Sequence, residues 1–402
     1  MLTAEENRLL TQVGPGTPGG ELLRRYWHPV AFVSDVCSDS PAKYIRMLGE
    51  DLVLFLDKSG RVGLLADHCS HRGASLLYGR VEERGIACAY HGWLFDTRGN
   101  CLETPAEPPD SKFYLTVKHR AYPVVERYGM YWTYMGPAPA PVLQRYDVTE
   151  RGVISSIRRL ESLDCNWLQT MENHVDQTHT VILHQATRQR GVDGMNTARG
   201  LIDQLASTDY TETAFGISRH RVDADGYDDS DLLIFPTCQR IYNILNFKVP
   251  IDDTHTRRFS FLIDLGLGNA SPTDARAAAG RDPSGRIRYA DETVGKTPAN
   301  ARHPFATYRM DQLLYQDNTV LETQGAISDR TVERLATADK GVVLLRKLLR
   351  REIDKVQHGE DPIGVIRDPM NELIDTNIQV YIDAVQKVPA PVSAVSVAPQ
   401  PR

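Results

Sequence analysis

Hydrophobic and polar residues alternate in short runs through the first third of the chain. Runs of this kind, separated by glycines, are typical of β-strands joined by tight turns. The pattern predicts strands over residues 44–48, 52–56, 62–66 and 130–134. A Pro-Ala segment containing Pro137, Pro139 and Pro141 follows, which excludes a helix and is typical of an interdomain linker.

Beyond this linker the pattern becomes a mixture of helical and strand-like segments. It predicts helices near residues 163–182, 305–325 and 340–356, and strands near residues 231–249 and 257–264. This order predicts an α+β domain in which an antiparallel sheet wraps a helix. The segment from Gly266 to His303 has no periodicity and is predicted to be a long loop or lid.

Composition and charge are those of an ordinary folded protein. The 402 residues exceed the usual size of one domain, so two domains are expected. The chain is 41% hydrophobic and 24% charged, and its net charge of -6 gives no reason to expect a nucleic-acid partner. The N-terminus is charged and no apolar run is long enough to cross a membrane, so we expect a cytoplasmic protein.

Two short metal-ligand patterns lie in the β-rich region, Cys69-Ser70-His71 and Cys88-Ala89-Tyr90-His91. Two thiolates and two imidazoles suit an iron-sulfur cluster whose two irons have different ligands. Neutral imidazoles remove negative charge and make such a cluster easier to reduce, so the patterns predict an electron relay. A structural zinc site is the alternative, although a Cys-x-His pair is tight for zinc. His68 is interpreted as a flanking residue.

Residues 67–74 and 88–93 resemble the two cluster-binding loops of the Rieske ring-hydroxylating oxygenases. The resemblance implies that Cys69 and Cys88 bind one iron of a Rieske [2Fe-2S] cluster, and that His71 and His91 bind the other. The family usually has proline where this chain has Ser70. We hypothesise that Ser70 raises the reduction potential, because it supplies a backbone N–H and a hydroxyl that can donate to a cluster sulfur.

A second set of polar residues lies on the predicted helix 163–182. Glu172 and His179 lie at the edge of its apolar stripe, with Asp176 slightly further round. Buried carboxylates and imidazoles need a partner, and a metal ion would provide one. His184 lies about 140° round an ideal helix from His179, so one ion can bind both only if the helix bulges or ends between them. On geometry alone, both histidines can equally be core residues satisfied by hydrogen bonds.

The spacing of Glu172, Asp176, His179 and His184 also resembles the mononuclear-iron motif of the same oxygenases. The resemblance implies that His179 and His184 are iron ligands. It further implies that Asp176 bridges His179 of one subunit to His91 of the next, which would join the relay to the reaction site. Glu172 and His174 are expected to be supporting or packing groups.

Asp317 is the predicted third ligand of this iron. It lies at the centre of an apolar stripe on helix 305–325, where a carboxylate is unfavourable unless it binds a cation, whereas Asp311 and Glu322 point the opposite way. Two histidines and one carboxylate form the facial triad that leaves positions open on ferrous iron. Gln316-Asp317-Asn318 also resembles the third-ligand region of the phthalate-dioxygenase-like branch. The alternative is an ion-paired helix aspartate.

The resemblance extends over nearly the whole chain and implies its organisation. We expect an N-terminal lead (1–25), an all-β Rieske [2Fe-2S] domain (26–138), a helix-grip catalytic domain with a mononuclear Fe(II) (139–388) and a flexible tail (389–402). The implied protein is a terminal oxygenase component that uses dioxygen to hydroxylate, dihydroxylate or O-demethylate an aromatic substrate, often an acid. It would form a homotrimer or two stacked trimers. Candidates for holding a substrate carboxylate are Arg188, Arg190, Arg199 and Arg240.

Electrons are expected from a separate flavin- or ferredoxin-type reductase that uses NAD(P)H. The segment Gly14–Gly19 has the letters of a dinucleotide-binding loop, but it contains two prolines and follows no apolar strand. The basic helix near residues 340–351 is interpreted as a solvated face, with docking of an acidic ferredoxin as the second hypothesis. Two other classes stay open, a Rieske-type electron carrier without a second iron and a zinc-binding structural protein.

Overall fold

The computed structural model describes residues 1–184, 208–222, 228–267, 276–278, 284, 286–292 and 313–387. All the predicted metal ligands lie within these ranges. Some residues and segments named above lie outside them, namely Arg188, Arg190, Arg199, Asp311, most of the predicted loop 266–303, residues 305–312 of the predicted helix 305–325 and the predicted tail 389–402.

The N-terminal part of the chain is built from short strands and two short helices. The helices are α1 (Ala4–Thr11) and α2 (Pro18–Leu23). The strands are β1 (Trp27–Phe32), β2 (Ala42–Met47), β3 (Glu50–Leu56), β4 (Val62–Ala66), β5 (Arg80–Glu82), β6 (Gly85–Ala87), β7 (Leu94–Phe95), β8 (Cys101–Glu103), β9 (Ala121–Tyr122), β10 (Val124–Arg127) and β11 (Met130–Tyr134). The four strands that the sequence predicted here are therefore present.

The C-terminal part mixes helices with longer strands. Its described helices are α3 (Asp147–Arg151), α4 (Trp167–Val175), α5 (Gln177–Ile182), α6 (Leu313–Glu322), α7 (Lys340–Gln357) and α8 (Ile378–Lys387). Its strands are β12 (Arg145–Tyr146), β13 (Val153–Leu163), β14 (Thr208–Thr213), β15 (Gly216–Val222), β16 (Asp228–Ile234), β17 (Cys238–Ile241), β18 (Ile244–Asp252), β19 (His255–Asp264), β20 (Arg288–Glu292) and β21 (Leu373–Ile374).

Three small sheets form the N-terminal part, with strand orders β2-β3-β4-β9, β5-β6-β7-β8 and β1-β11-β10. The first two pack around a compact apolar cluster that includes Val53, Phe55, Leu65, Ile86 and Phe95. The first Cys-His loop lies between β4 and β5, and the second lies between β6 and β7. Both loops therefore project from strands whose side chains are fixed in this cluster.

An eight-stranded sheet, ordered β14-β15-β16-β17-β18-β19-β13-β20, dominates the C-terminal part. Neighbouring strands are antiparallel, except that β13 and β20 run parallel. The helices α4 and α8 pack against this sheet. The expectation of an α+β domain with an antiparallel sheet around a helix is confirmed.

The two parts share one apolar core, which includes Leu10, Trp132, Trp167, Phe247 and Ile353. Backbone hydrogen bonds add to this contact, because Leu48 and Gly49 donate their N–H groups to the carbonyls of Pro250 and Ile251 at 3.0 Å. The Val13 N–H donates to the Asp253 carboxylate at 2.8 Å. The hairpin of β18 and β19 is therefore held by the N-terminal part.

Two predicted elements differ from the structure. The predicted helix 163–182 is the end of β13 followed by the separate helices α4 and α5. The predicted loop 266–303 contains β20, which is stabilised by ion pairs from Arg158 and Arg159 of β13 to Glu292 and Asp291. A membrane-spanning helix is not found in the described part of the chain, since none of its helices is both long and apolar enough.

Candidate functional site

The two Cys-His loops have the same backbone turn. In each, the cysteine N–H donates to a carbonyl further along the loop at 2.9 Å, and the N–H of a glycine donates back to the cysteine carbonyl at 2.8–2.9 Å. The glycines are Gly73, with φ +75°, and Gly92, with φ +73°, a backbone conformation that side-chain-bearing residues rarely adopt. The repeated turn gives Cys69 and Cys88 equivalent positions.

Four potential cluster ligands meet where these loops face each other. Burial raises the pKa of the Cys69 thiol to about 11, and the neighbouring Cys88 thiol adds to the increase. The rings of His71 and His91 lie 4.5 Å apart, and His71 stacks on Trp93 at 4.4 Å. The thiols are buried and His71 is exposed, which fits a cluster with one thiolate-bound iron inside and one imidazole-bound iron near the surface.

The residues beside these ligands have other partners. The Ser70 hydroxyl, expected to donate to a cluster sulfur, instead bonds to Nδ1 of His119 at 2.6 Å. His68 donates from its Nδ1 to the Gly73 carbonyl at 3.0 Å, which supports its interpretation as a flanking residue.

The second candidate site depends on a break between α4 and α5. Asp176 has φ −96° and ψ 106°, which ends α4, and its carboxylate accepts the Thr178 N–H at 2.8 Å, which begins α5. The helix α5 ends at Ile182, so His184 lies beyond it. The condition for His179 and His184 to face one ion, a helix that ends between them, is therefore met.

Asp317 on α6 completes this group. Its Oδ1 lies 3.7 Å from Nε2 of His179 and 3.3 Å from Nε2 of His184, and the three potential ligand atoms all lie within 4.8 Å of one another. Oδ1 is buried and has no hydrogen-bond partner. A buried carboxylate oxygen facing two imidazole nitrogens is unfavourable unless a cation lies between them, so the three residues fit a facial-triad metal site.

Neighbouring residues orient these three side chains. His184 bonds through Nδ1 to Oε1 of Gln316 at 2.7 Å, and the buried Asn318 accepts a hydrogen bond from Arg258 at 2.8 Å. Asp176 lies 3.7 Å from Nδ1 of His179. Burial opposes ionisation of Asp176, but its charge interaction with His179 and the hydrogen bond that it accepts from the Thr178 N–H lower the pKa of the carboxyl below its ordinary value.

Glu172 and His174 are the two other polar residues that the sequence singled out on α4. The Glu172 carboxylate accepts hydrogen bonds from Arg330 at 2.6 Å and from Arg346 at 2.6 Å. Burial, together with the charge of nearby Lys248, lowers the pKa of His174 well below its ordinary value, so this imidazole is neutral. The ion pairs of Glu172 therefore hold α4 in place, whereas His174 is a buried residue that borders a cavity beside the three proposed ligands.

A cavity of about 150 Å³ opens beside the triad and is lined on the other side by Arg219, Arg221 and Gln239. Arg219 forms an ion pair with Asp231 and donates to Gln177. Arg240, a predicted carboxylate ligand, is not among the described lining residues. It is fully buried and donates from Nε to the Thr376 carbonyl at 3.0 Å, so it stabilises the fold.

Sequence reasoning missed Gln316 and the two cavity arginines. Arg219 and Arg221 are two residues apart on β15, so they project from the same face of the sheet. That alternation was the available signal. Nothing in the sequence indicated that Gln316 would reach His184, because the two lie on separate elements.

The basic helix α7 is not a free docking face. Arg346 is buried in ion pairs with Glu172 and Glu333. Arg350 pairs with Glu6 at 2.9 Å, and Arg351 pairs with Glu212 at 2.6 Å. Most of the helix's positive charge is matched within the chain, which counts against the hypothesis that an acidic ferredoxin docks here.

Known proteins resemble this chain over most of its length. Residues 26–126 match the Rieske [2Fe-2S] domain. The chain is 34% identical over 385 residues to the 5,5'-dehydrodivanillate O-demethylase oxygenase subunit of Sphingobium sp. (strain NBRC 103272 / SYK-6), covering 92% of this chain and 84% of that one. It is 39% identical over 411 residues to the 3-chlorobenzoate-3,4-dioxygenase oxygenase subunit of Comamonas testosteroni, covering 91% and 92%.

A solved structure has a similar fold. NdmB of Pseudomonas putida CBB5 aligns with a TM-score of 0.59 over 86% of this chain and 95% of that one, at 19% sequence identity. At this identity the likeness concerns the fold alone.

Proposed function

Because the chain belongs to the Rieske non-heme iron oxygenases, we propose that it oxidises an aromatic acid at an iron held by His179, His184 and Asp317. The chain is a terminal oxygenase component with a Rieske [2Fe-2S] cluster and a mononuclear iron. Its relatives are oxygenase subunits, which argues against a simple electron carrier. The observation that carries the proposal is the unpartnered Asp317 oxygen between two imidazoles.

The bound metals supply single electrons from the cluster and dioxygen activation at ferrous iron. Cys69, Cys88, His71 and His91 would hold the cluster. Around the iron, the protein's own contribution is orientation: Gln316 fixes the ring of His184, and the break at Asp176 fixes the angle between α4 and His179.

We propose that the cavity beside the triad binds the substrate. Among its described lining residues, Arg219 and Arg221 are cationic and the one carboxylate is Asp317, which the iron would neutralise. This balance favours a substrate that carries negative charge. Arg219 and Arg221 both border this cavity from β15, and we assign Arg221 to the substrate carboxylate, through a charge-assisted hydrogen bond.

This assignment can be tested with Arg221→Gln and with the methyl ester of the substrate. Loss of one charge-assisted hydrogen bond should raise KM for the acid about 10- to 100-fold, with little effect on the ester. Arg221→Lys keeps the charge but not the fork geometry, so it should give an intermediate KM. Equal effects on acid and ester would show that Arg221 shapes the cavity without binding a carboxylate.

The reaction itself is identified by product analysis. The purified protein, a reductase, NADH and dioxygen are incubated with benzoates, phthalates and methoxylated aromatic acids, and the products are separated by mass. We expect a hydroxylated, dihydroxylated or O-demethylated product from at least one aromatic acid. NADH consumption without any oxidised product from the acids, together with turnover of neutral substrates, would reject the aromatic-acid proposal.

We propose further that electrons come from a separate reductase and cross between subunits through Asp176. The relatives are named as oxygenase subunits, which implies other components. Asp176 borders a surface groove of about 500 Å³ together with His179 and Glu172, a place where a neighbouring subunit can approach. A ring of three subunits, or two stacked rings, would put each His91 beside the next Asp176.

Asp176→Asn tests this path, because it keeps the size of the side chain and removes its charge. We expect the reductase to reduce the cluster at the normal rate while product formation falls about 10- to 100-fold. Sedimentation of the unmutated protein should give a trimer or hexamer. A monomer with full activity would reject the intersubunit path. We also propose a cytoplasmic location, since none of the six cysteines forms a disulfide bond, as expected in a reducing compartment.

A further inference from the structure

Ser70, which stands where the family pattern has proline, is joined to a buried histidine. Its hydroxyl lies 2.6 Å from Nδ1 of His119, and Nε2 of His119 lies 2.7 Å from the Ala66 carbonyl. A carbonyl can only accept, so Nε2 carries the proton and Nδ1 has the lone pair. Ser70 is therefore the donor. Burial lowers the pKa of His119, which favours the neutral ring that this arrangement needs.

His119 is itself held from several directions. The residue is 2% exposed, and its ring packs on Phe95 with the ring centroids 4.7 Å apart. Its backbone N–H donates to the Gly99 carbonyl at 2.7 Å. Gly99 has φ +77°, and a Cβ there would lie 2.1 Å from the His119 carbonyl oxygen. The imidazole, held in one position by these contacts, therefore connects Ser70 in the first cluster loop to Ala66 at the end of β4.

The second cluster loop lacks this connection. Both loops have the same backbone turn, but Ala89 occupies the place that Ser70 has in the first loop, and alanine has no polar group. A serine hydroxyl can donate one hydrogen bond, and here Nδ1 of His119 accepts it. The hydroxyl is thus engaged away from the cluster, contrary to the initial hypothesis that it donates to a sulfur.

We propose that His119 is a positioning residue that braces the first cluster loop through Ser70. The brace supplies the rigidity that a proline ring would otherwise give at this position. It keeps Cys69 and His71 in place, so its loss should speed release of the cluster. The inference rests on the cluster ligands proposed above, because the brace acts on the loop that carries two of them.

A double-mutant cycle on the cluster-loaded protein tests the brace. The rate of cluster loss is followed by bleaching of visible absorbance in the presence of an iron chelator. His119→Leu should speed this loss about tenfold, as expected when a residue that supports a metal ligand is removed. His119→Gln should restore most of the resistance, since an amide can accept from Ser70 and donate to the Ala66 carbonyl. In the Ser70→Pro background, His119→Leu should have little further effect, because proline makes the brace unnecessary.

The midpoint potential provides a readout that general loss of stability would not change. Ser70→Ala should leave the potential where it is, because the hydroxyl donates to an imidazole and not to the cluster. A fall in the potential of Ser70→Ala would overturn the proposal, as would equal acceleration by His119→Leu in both backgrounds. Absence of a Rieske cluster in the unmutated protein would instead reject the ligand assignment, and the brace with it.

Discussion

His184 and Gln316 are joined by one hydrogen bond of 2.7 Å, which decides which nitrogen of His184 faces Asp317. An amide oxygen can only accept, so Nδ1 of His184 carries the proton and Nε2 keeps its lone pair. Gln316 and Asp317 are adjacent on α6. One turn of helix therefore provides both a proposed metal ligand and the residue that orients another.

We expect Gln316→Leu to weaken binding of the mononuclear iron about 10- to 100-fold, because His184 loses the partner that fixes its tautomer and ring angle. Affinity is measured by competition with a chromophoric Fe(II) chelator. Gln316→Glu keeps an acceptor and should retain most of the affinity. If Gln316→Leu binds iron as tightly as the unmutated protein, the hydrogen bond does not orient a ligand.

The ion pairs around Glu172 should contribute to stability. Arg330 is fully buried and Arg346 nearly so, and Glu172 accepts hydrogen bonds from both. Glu172→Gln removes the negative charge that pairs with the two buried guanidinium groups. We therefore expect a loss of about 3–5 kcal/mol in the free energy of unfolding, measured in urea. Glu212→Gln, which removes an exposed partner of Arg351, is the matched control and should cost less than about 1 kcal/mol. Similar losses in both variants would contradict the argument.

Acid should destabilise the fold through His28. This residue is 1% exposed, its Nε2 donates to the Leu23 carbonyl at 2.9 Å, and its Nδ1 has no partner. Burial lowers the pKa of His28 from 6.5 to about 4. The folded state disfavours protonation of His28. The contribution of His28 to stability is therefore fully present above pH 6.5, is lost as the pH falls from 6.5 towards 4, and changes no further below pH 4.

The pKa shift of His28 corresponds to a decrease of about 3 kcal/mol in the free energy of unfolding between pH 6.5 and pH 4. His28→Gln keeps a donor for Leu23 but cannot titrate there. Unfolding free energies at several pH values should therefore fall less steeply in the variant than in the unmutated protein. Parallel pH profiles would assign the acid sensitivity to other groups.

Much of the fold followed from the sequence, because strand alternation and helical periodicity are local. The prediction of one helix over 163–182 was wrong, because the apolar periodicity continues past Asp176 although the helix does not. Asp176 ends one helix and caps the next, as its hydrogen bond from the Thr178 N–H shows. The strand β20 was missed because its five residues are stabilised by pairing with distant β13, not by their own pattern.

Asp317 illustrates what sequence can indicate about the site. A single acid on an apolar stripe needs a partner, and the structure places His179 and His184 beside it. Gln316 and His119 could not be identified in this way, because a glutamine or histidine becomes a supporting residue only through a contact made by folding. Arg240 shows the converse, since a candidate binding residue proved to be a buried structural one.

The central claim is that electrons held at the Cys69, His71, Cys88 and His91 loops are used on dioxygen at the His179, His184 and Asp317 site. A single-turnover experiment tests it most directly. The cluster is reduced chemically, excess reductant is removed, and the protein is mixed with dioxygen and an aromatic acid that it converts. Cluster oxidation and product are then measured in the unmutated protein and in Asp317→Ala. In the unmutated protein we expect product to form as the cluster is oxidised. In Asp317→Ala we expect the cluster to stay reduced and no product to form. Full product formation by Asp317→Ala would contradict it.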